Sequence, residues 1–141
     1  MSKELVGKKC PNFEGECTNN KKINNKNLLG KNFIIYFYPK DSTPGCTTEG
    51  QDFRDNFKNF QKLNTDIIGV SRDSIKSHEN FKQKQEFQFE LLSDPDERVC
   101  KAFDVMKMKS MYGREYMGVD RSTFFVDEKG CLLHTSPSPR D

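Results

Sequence analysis

Tyr36-Phe37-Tyr38-Pro39-Lys40-Asp41-Ser42-Thr43-Pro44-Gly45-Cys46-Thr47-Thr48-Glu49 is the stretch that decides the fold. It begins in the apolar run Asn32–Tyr38, whose aromatic and β-branched residues suit a central strand buried on both faces. Pro39 ends that strand. Thr43-Pro44 then reads as a helix start, with Thr43 as N-cap and Pro44 as the first helical residue. Cys46 falls in the first turn, where free backbone N–H groups and the positive end of the helix dipole favour an anion. A cysteine is more often a small buried hydrophobe than a reactive group. A thiol at a helix N-terminus, however, ionises more readily than a free one, and the thiolate is the nucleophile.

Downstream, a helix is expected from Pro44 to about Leu63, with Phe53, Phe57 and Phe60 forming one apolar stripe and Gly50 a weak spot. Thr65–Ser71 is the next strand. Asp73-Ser74-Ile75-Lys76 opens a second helix, with Ile75 and Phe81 facing inward. Strand, helix, strand, helix implies parallel strands with crossovers. Phe89–Leu92 is a short strand. Asp94 caps a short helix with Pro95 at its first position and Val99 and Phe103 inward. Residues 104–118 read as a loop whose methionines and tyrosines either cover the site or pack, packing being the preferred reading. Ser122–Val126 is a strand, and Asp127–Gly130 a hairpin turn. Upstream, Phe13–Thr18 and Lys21–Ile23 form a hairpin across Asn19-Asn20.

The 141 residues suit one domain, and the net charge of +2 with no basic block gives no sign of nucleic-acid binding. No apolar run is long enough to span a membrane, and Met1-Ser2-Lys3-Glu4 lacks the apolar core of a signal peptide. The five cysteines form no even framework, C-x-x-C or zinc pattern, so a cytoplasmic protein without a metal or other cofactor is expected. Cys10 and Cys17 read as edge or half-buried thiols.

Pro39-x-x-x-Thr43-x-x-Cys46 strongly resembles the active-site signature of peroxiredoxins, and FYPKDSTPGCT resembles the bacterioferritin-comigratory (Q-type) branch. Gly69-Val70-Ser71-Arg72-Asp73, Leu91-Leu92-Ser93-Asp94 and Tyr116–Phe125 match it in order and spacing, so the likeness covers roughly residues 4 to 130. It implies an α/β, thioredoxin-like fold: a central mixed sheet flanked by helices, with an N-terminal hairpin. It also implies a thiol-dependent peroxidase that reduces hydrogen peroxide and organic hydroperoxides through a cysteine sulfenic acid, in antioxidant defence and redox homeostasis. Cys46 would be the nucleophile. Thr43 would hydrogen-bond thiolate or peroxide, Arg121 would stabilise the thiolate and the leaving oxygen, and Pro39 would cover the sulfur. Gly45 would offer a backbone N–H, and Glu49 would orient Arg121 or serve only as a helix carboxylate.

Many Q-type members carry a resolving cysteine five residues after the nucleophile, where this chain has Gln51. Cys100 then either resolves Cys46 in a disulfide or is packed in the core. The remaining route is a one-cysteine cycle served by thioredoxin, glutaredoxin or glutathione. The resemblance implies a monomer or weak dimer. A thiol–disulfide oxidoreductase would want a second thiol at Glu49, and a cysteine phosphatase an arginine at Asp52. A non-catalytic redox sensor stays open.

After Gly130 the likeness stops. Cys131–Asp141 resembles the translation of a transposase adaptor used in sequencing libraries. The expected domain is therefore 1–130, with 131–141 a non-native tail and the family's last strand and helix missing.

Overall fold

The computed structural model describes residues 7–137. In chain order it contains β1 Glu14–Cys17, β2 Lys21–Asn24, β3 Asn32–Phe37, α1 Pro44–Asp55, α2 Phe57–Lys62, β4 Thr65–Ser71, α3 Ile75–Gln85 and β5 Glu90–Ser93. There follow α4 Arg98–Ala102, β6 Met106–Met111, β7 Arg114–Val119, β8 Ser122–Val126 and β9 Leu132–Pro137. The main sheet runs β2-β1-β5-β4-β3-β8-β9. β3, β4 and β5 are parallel, β1 and β8 run against them, and β9 is antiparallel to β8. This is the mixed, thioredoxin-like sheet expected.

Side chains of β3 alternate across the sheet and create two cores. Phe33, Ile35 and Phe37 join one face with Ile68, Val70, Leu92, Phe103 and Phe124. Ile34, Tyr36 and Tyr38 join the other with Ile67, Phe81, Phe87, Phe89 and Leu91. Phe53, Phe57 and Phe60 pack against the second core as the predicted stripe. Cys46 belongs to that second core, and Cys10, Cys17 and Cys100 belong to the first.

Four local expectations change. The helix after Pro44 is interrupted at Asn56, whose backbone leaves helical geometry (φ −105°, ψ 9°), so it becomes α1 and α2. The short helix after β5 begins at Arg98, not Pro95, because Glu97 turns into the left-handed region at φ 64°. Asp94 still serves as its cap from a distance, accepting from the N–H groups of Val99 and Cys100 at 3.0 and 2.8 Å. Most of residues 104–118 form the β6–β7 ribbon rather than a packed loop. Tyr112 and Gly113, both at positive φ, make its turn, and Met108, Tyr112 and Met117 are exposed.

The last correction concerns the expected missing strand. β9 lies antiparallel to β8, with Leu132 fully buried. Sheet pairing is carried by backbone groups, so a tail of foreign appearance still completes this edge. The remainder of the tail lies outside the described residues.

Candidate active site

α1 begins as its sequence dictates. Thr43 holds the extended N-cap conformation and Pro44 occupies the first helical position. Thr43 does not cap with its side chain, however. Its hydroxyl donates instead to the Lys40 carbonyl at 2.9 Å, closing the turn in which Ser42 adopts φ 62°. The expected partner of this hydroxyl was thiolate or peroxide; here its proton goes to the Lys40 carbonyl. One consequence is that the first-turn N–H groups of Gly45 and Cys46 are not taken by the Thr43 side chain. Pro39 lies half-buried in the bend between β3 and α1.

Cys46 is 2% exposed. Arg121, immediately before β8 and 6% exposed, reaches it across the fold. Its Nη2 donates to Cys46 Sγ at 3.2 Å, and its Nη1 donates to Glu49 Oε1 at 3.1 Å. One guanidinium fork therefore holds two groups of the same helix turn. Burial opposes the Arg121 charge, but the adjoining Cys46 sulfur and Glu49 carboxylate outweigh it and raise its pKa above the ordinary range. Gly45 leaves the room this needs. A Cβ there would stand 3.3 Å from Nη2. Tyr36 lies in the same core, and burial, then its neighbours Glu49, Cys46 and Asp41, keep its phenol protonated.

Burial pushes Cys10 up to about 12. Burial and the nearby Glu90 push Cys17 up to about 12 as well. Burial and then Asp94 push Cys100 higher still. All five cysteines are free.

Sequence reasoning missed the polar cluster behind the Cys46 loop. Asp41, 6% exposed, accepts from Tyr38 Oη at 2.6 Å and from Ser77 Oγ at 2.8 Å, and its Oδ2 lies 2.7 Å from His78 Nδ1. His78 is fully buried on α3. A histidine on an otherwise polar helix segment gives no local signal of such a partner. Only the fold brings them together.

A buried arginine donating to a helix-start cysteine on a thioredoxin-like sheet is the arrangement expected of a cysteine-dependent peroxidase. The profile of the AhpC/TSA family matches residues 6–135, and the chain belongs to that family. Peroxiredoxin Bcp of Xanthomonas campestris is 57% identical over 100 residues, which span 71% of this chain and 62% of the relative. Peroxiredoxin Bcp of Bacillus subtilis is 45% identical over 91% of this chain and 82% of its own length. A solved structure of the X. campestris bacterioferritin comigratory protein, studied for alkyl peroxide reduction, superposes with a TM-score of 0.85. It is 46% identical and covers 89% of this chain and 80% of that one. A Cys-to-Ser variant of Xylella fastidiosa PrxQ reaches a TM-score of 0.88 at 37% identity, over 94% and 84% of the two chains.

Proposed function

We propose that Cys46 is the nucleophile of a thiol-dependent peroxidase acting on hydrogen peroxide and organic hydroperoxides. The observation that carries this reading is the Arg121 fork, 3.2 Å from the sulfur and 3.1 Å from Glu49. A fixed cation favours the thiolate over the thiol. It also lies where the leaving oxygen of a bound peroxide gains charge. The Gly45 and Cys46 N–H groups add donors at the helix start, and Pro39 limits water. Thr43 supports this by shaping the loop, with its lone pairs still available to a peroxide proton. The alkyl peroxide reduction described for the Xanthomonas relative supports the organic substrate class.

The thiolate attacks one peroxide oxygen and the O–O bond breaks. The sulfur loses two electrons and becomes a sulfenic acid, while the other oxygen leaves as water or alcohol after taking a proton. An external thiol then attacks the sulfenic sulfur, an S–S bond forms and water departs. A second thiol frees Cys46. Thioredoxin, glutaredoxin and glutathione each have the chemistry for this role. The external route is favoured because Cys100 is fully buried in the core across the sheet from Cys46, with its thiol held protonated. Five free thiols support a reducing, cytoplasmic setting. In the described residues no helix is long and apolar enough to cross a membrane.

Peroxide consumption with thioredoxin or a small dithiol as donor tests the proposal. Cys46→Ser should abolish it, and Arg121→Ala should lower it by about 10²–10³-fold, the usual cost of one charge-stabilising donor. Disulfide reduction without peroxide consumption would point to a thiol–disulfide oxidoreductase. Oxidation of Cys46 without turnover would point to a sensor.

A further inference from the structure

Asp41 sits midway along the loop that delivers Pro39, Thr43 and Cys46. Its backbone N–H donates to Asp73 Oδ2 at 2.8 Å, and Ser71 Oγ donates to the same oxygen at 2.6 Å. Its carboxylate takes the hydroxyls of Tyr38 and Ser77 and one nitrogen of His78. The other His78 nitrogen, Nε2, lies 2.9 Å from the Leu92 carbonyl on β5. A carbonyl only accepts, so Nε2 carries a proton. Tyr38 is kept protonated, by burial first and then by Tyr36 and Asp41, so its hydroxyl donates. His78 thus bridges the Cys46 loop to β5 through two buried hydrogen bonds, Nδ1 to Asp41 Oδ2 at 2.7 Å and Nε2 to Leu92.

We infer that His78 is a positioning residue, and that the Asp41–His78 pair sets the balance between closed and open forms of the segment 38–46. This rests on the peroxidase reading. A peroxide is small enough to meet Cys46 in the closed site. An external thiol attached to a larger molecule needs in-line access to a sulfur that is 2% exposed, so the segment must open. Asp41 ties that segment to Asp73, Ser77 and His78, and Arg121 ties the helix that follows it. Arg121 is committed to the sulfur itself, which leaves the Asp41 tie to govern opening without touching the reacting atoms.

The test separates the two half-reactions. Wild type, Asp41→Asn, His78→Phe and His78→Gln are mixed with hydrogen peroxide, trapped with dimedone, and followed at Cys46 by mass spectrometry. Pre-oxidised samples are then mixed with glutathione, and the mixed disulfide at Cys46 is timed. The expected result is a peroxide step slowed about tenfold or more in Asp41→Asn and His78→Phe, since small misplacements of reacting groups carry costs of that order. The glutathione step should accelerate in the same variants. His78→Gln, which keeps one donor toward Leu92, should fall between. A merely structural role would slow both steps in proportion to the unfolded fraction seen by circular dichroism. That result, or two unchanged rates, overturns the inference. If His78→Phe does not fold, Asp41→Asn and Ser77→Ala carry the same comparison. A wild type that takes no dimedone at Cys46 overturns the peroxidase reading as well, and is distinguishable because it fails before any variant is compared.

Discussion

At the scale of single residues, the site depends on a close approach between Gly45 and Arg121. In an ordinary helix position, Gly→Ala stabilises by about 0.8–1.0 kcal/mol. Here the new Cβ would press on Nη2 from 3.3 Å. Gly45→Ala should therefore melt no lower than wild type while losing peroxidase activity several-fold. Thermal unfolding and turnover measured on the same sample check this, and full activity would show that the fork tolerates displacement. Cys46 and Arg121 were legible in sequence because the turn chemistry and the Arg-Ser-Thr-Phe motif each mark a position. The 75-residue separation between them is closed only by the fold. Asp41 and His78 were not legible, because a buried acid and a buried histidine each look like ordinary surface residues until their partners are placed.

At the scale of elements, Gly50 changes meaning. The sequence marks it as a weak point in α1, yet a Cβ there would run into the Phe87 ring. That ring is stacked on Phe89 at 4.9 Å and set edge-on to Phe81 at 5.1 Å, so it has little freedom to yield. Gly50→Ala should lose about 1–3 kcal/mol through overpacking, against the gain expected from helix propensity. Chemical denaturation decides the sign.

Glu90 on β5 ties two further elements, pairing with Lys82 of α3 at 2.6 Å and Lys21 of β2 at 3.2 Å. Burial opposes its charge, but Lys82, Thr18 and Lys21 outweigh that and hold its pKa below the ordinary value. A lowered folded pKa contributes stability that is complete above the unfolded value of about 4.3 and disappears as pH falls through the folded one. The stability gap between wild type and Glu90→Gln should thus be widest near neutrality and shrink below about pH 4. A gap independent of pH would contradict the assignment. The β6–β7 ribbon is only partly legible at this scale. Met106-Lys107-Met108-Lys109 alternates with period two, a strand signal, but the glycines and tyrosines nearby suggested a loop.

At the scale of the molecule, the sheet separates the chemistry from the remaining buried thiols. β3 and the strands beside it put Cys46 against one face and Cys10, Cys17 and Cys100 against the other. The alternation that creates two faces is visible in the Asn32–Tyr38 run, but which face each cysteine joins depends on how α1 and α4 cross the sheet. Sequence could only leave Cys100 open between resolving and packing. Cys100→Ser should therefore keep peroxide turnover with an external thiol within about twofold of wild type, apart from any loss of folded protein on introducing a hydroxyl into a core. A collapse of turnover in folded Cys100→Ser would restore it as a resolving residue.

The central claim is that the Cys46 sulfur, held by Arg121, is the atom that peroxide oxidises. Peptide mass spectrometry of wild type and Arg121→Ala, each treated briefly with one equivalent of hydrogen peroxide and trapped with dimedone, tests it most directly. The account predicts a single adduct, on Cys46, in wild type and almost none in Arg121→Ala over the same interval. Equal labelling in the two proteins, a Cys46–Cys100 link, or an adduct on a different cysteine would contradict it.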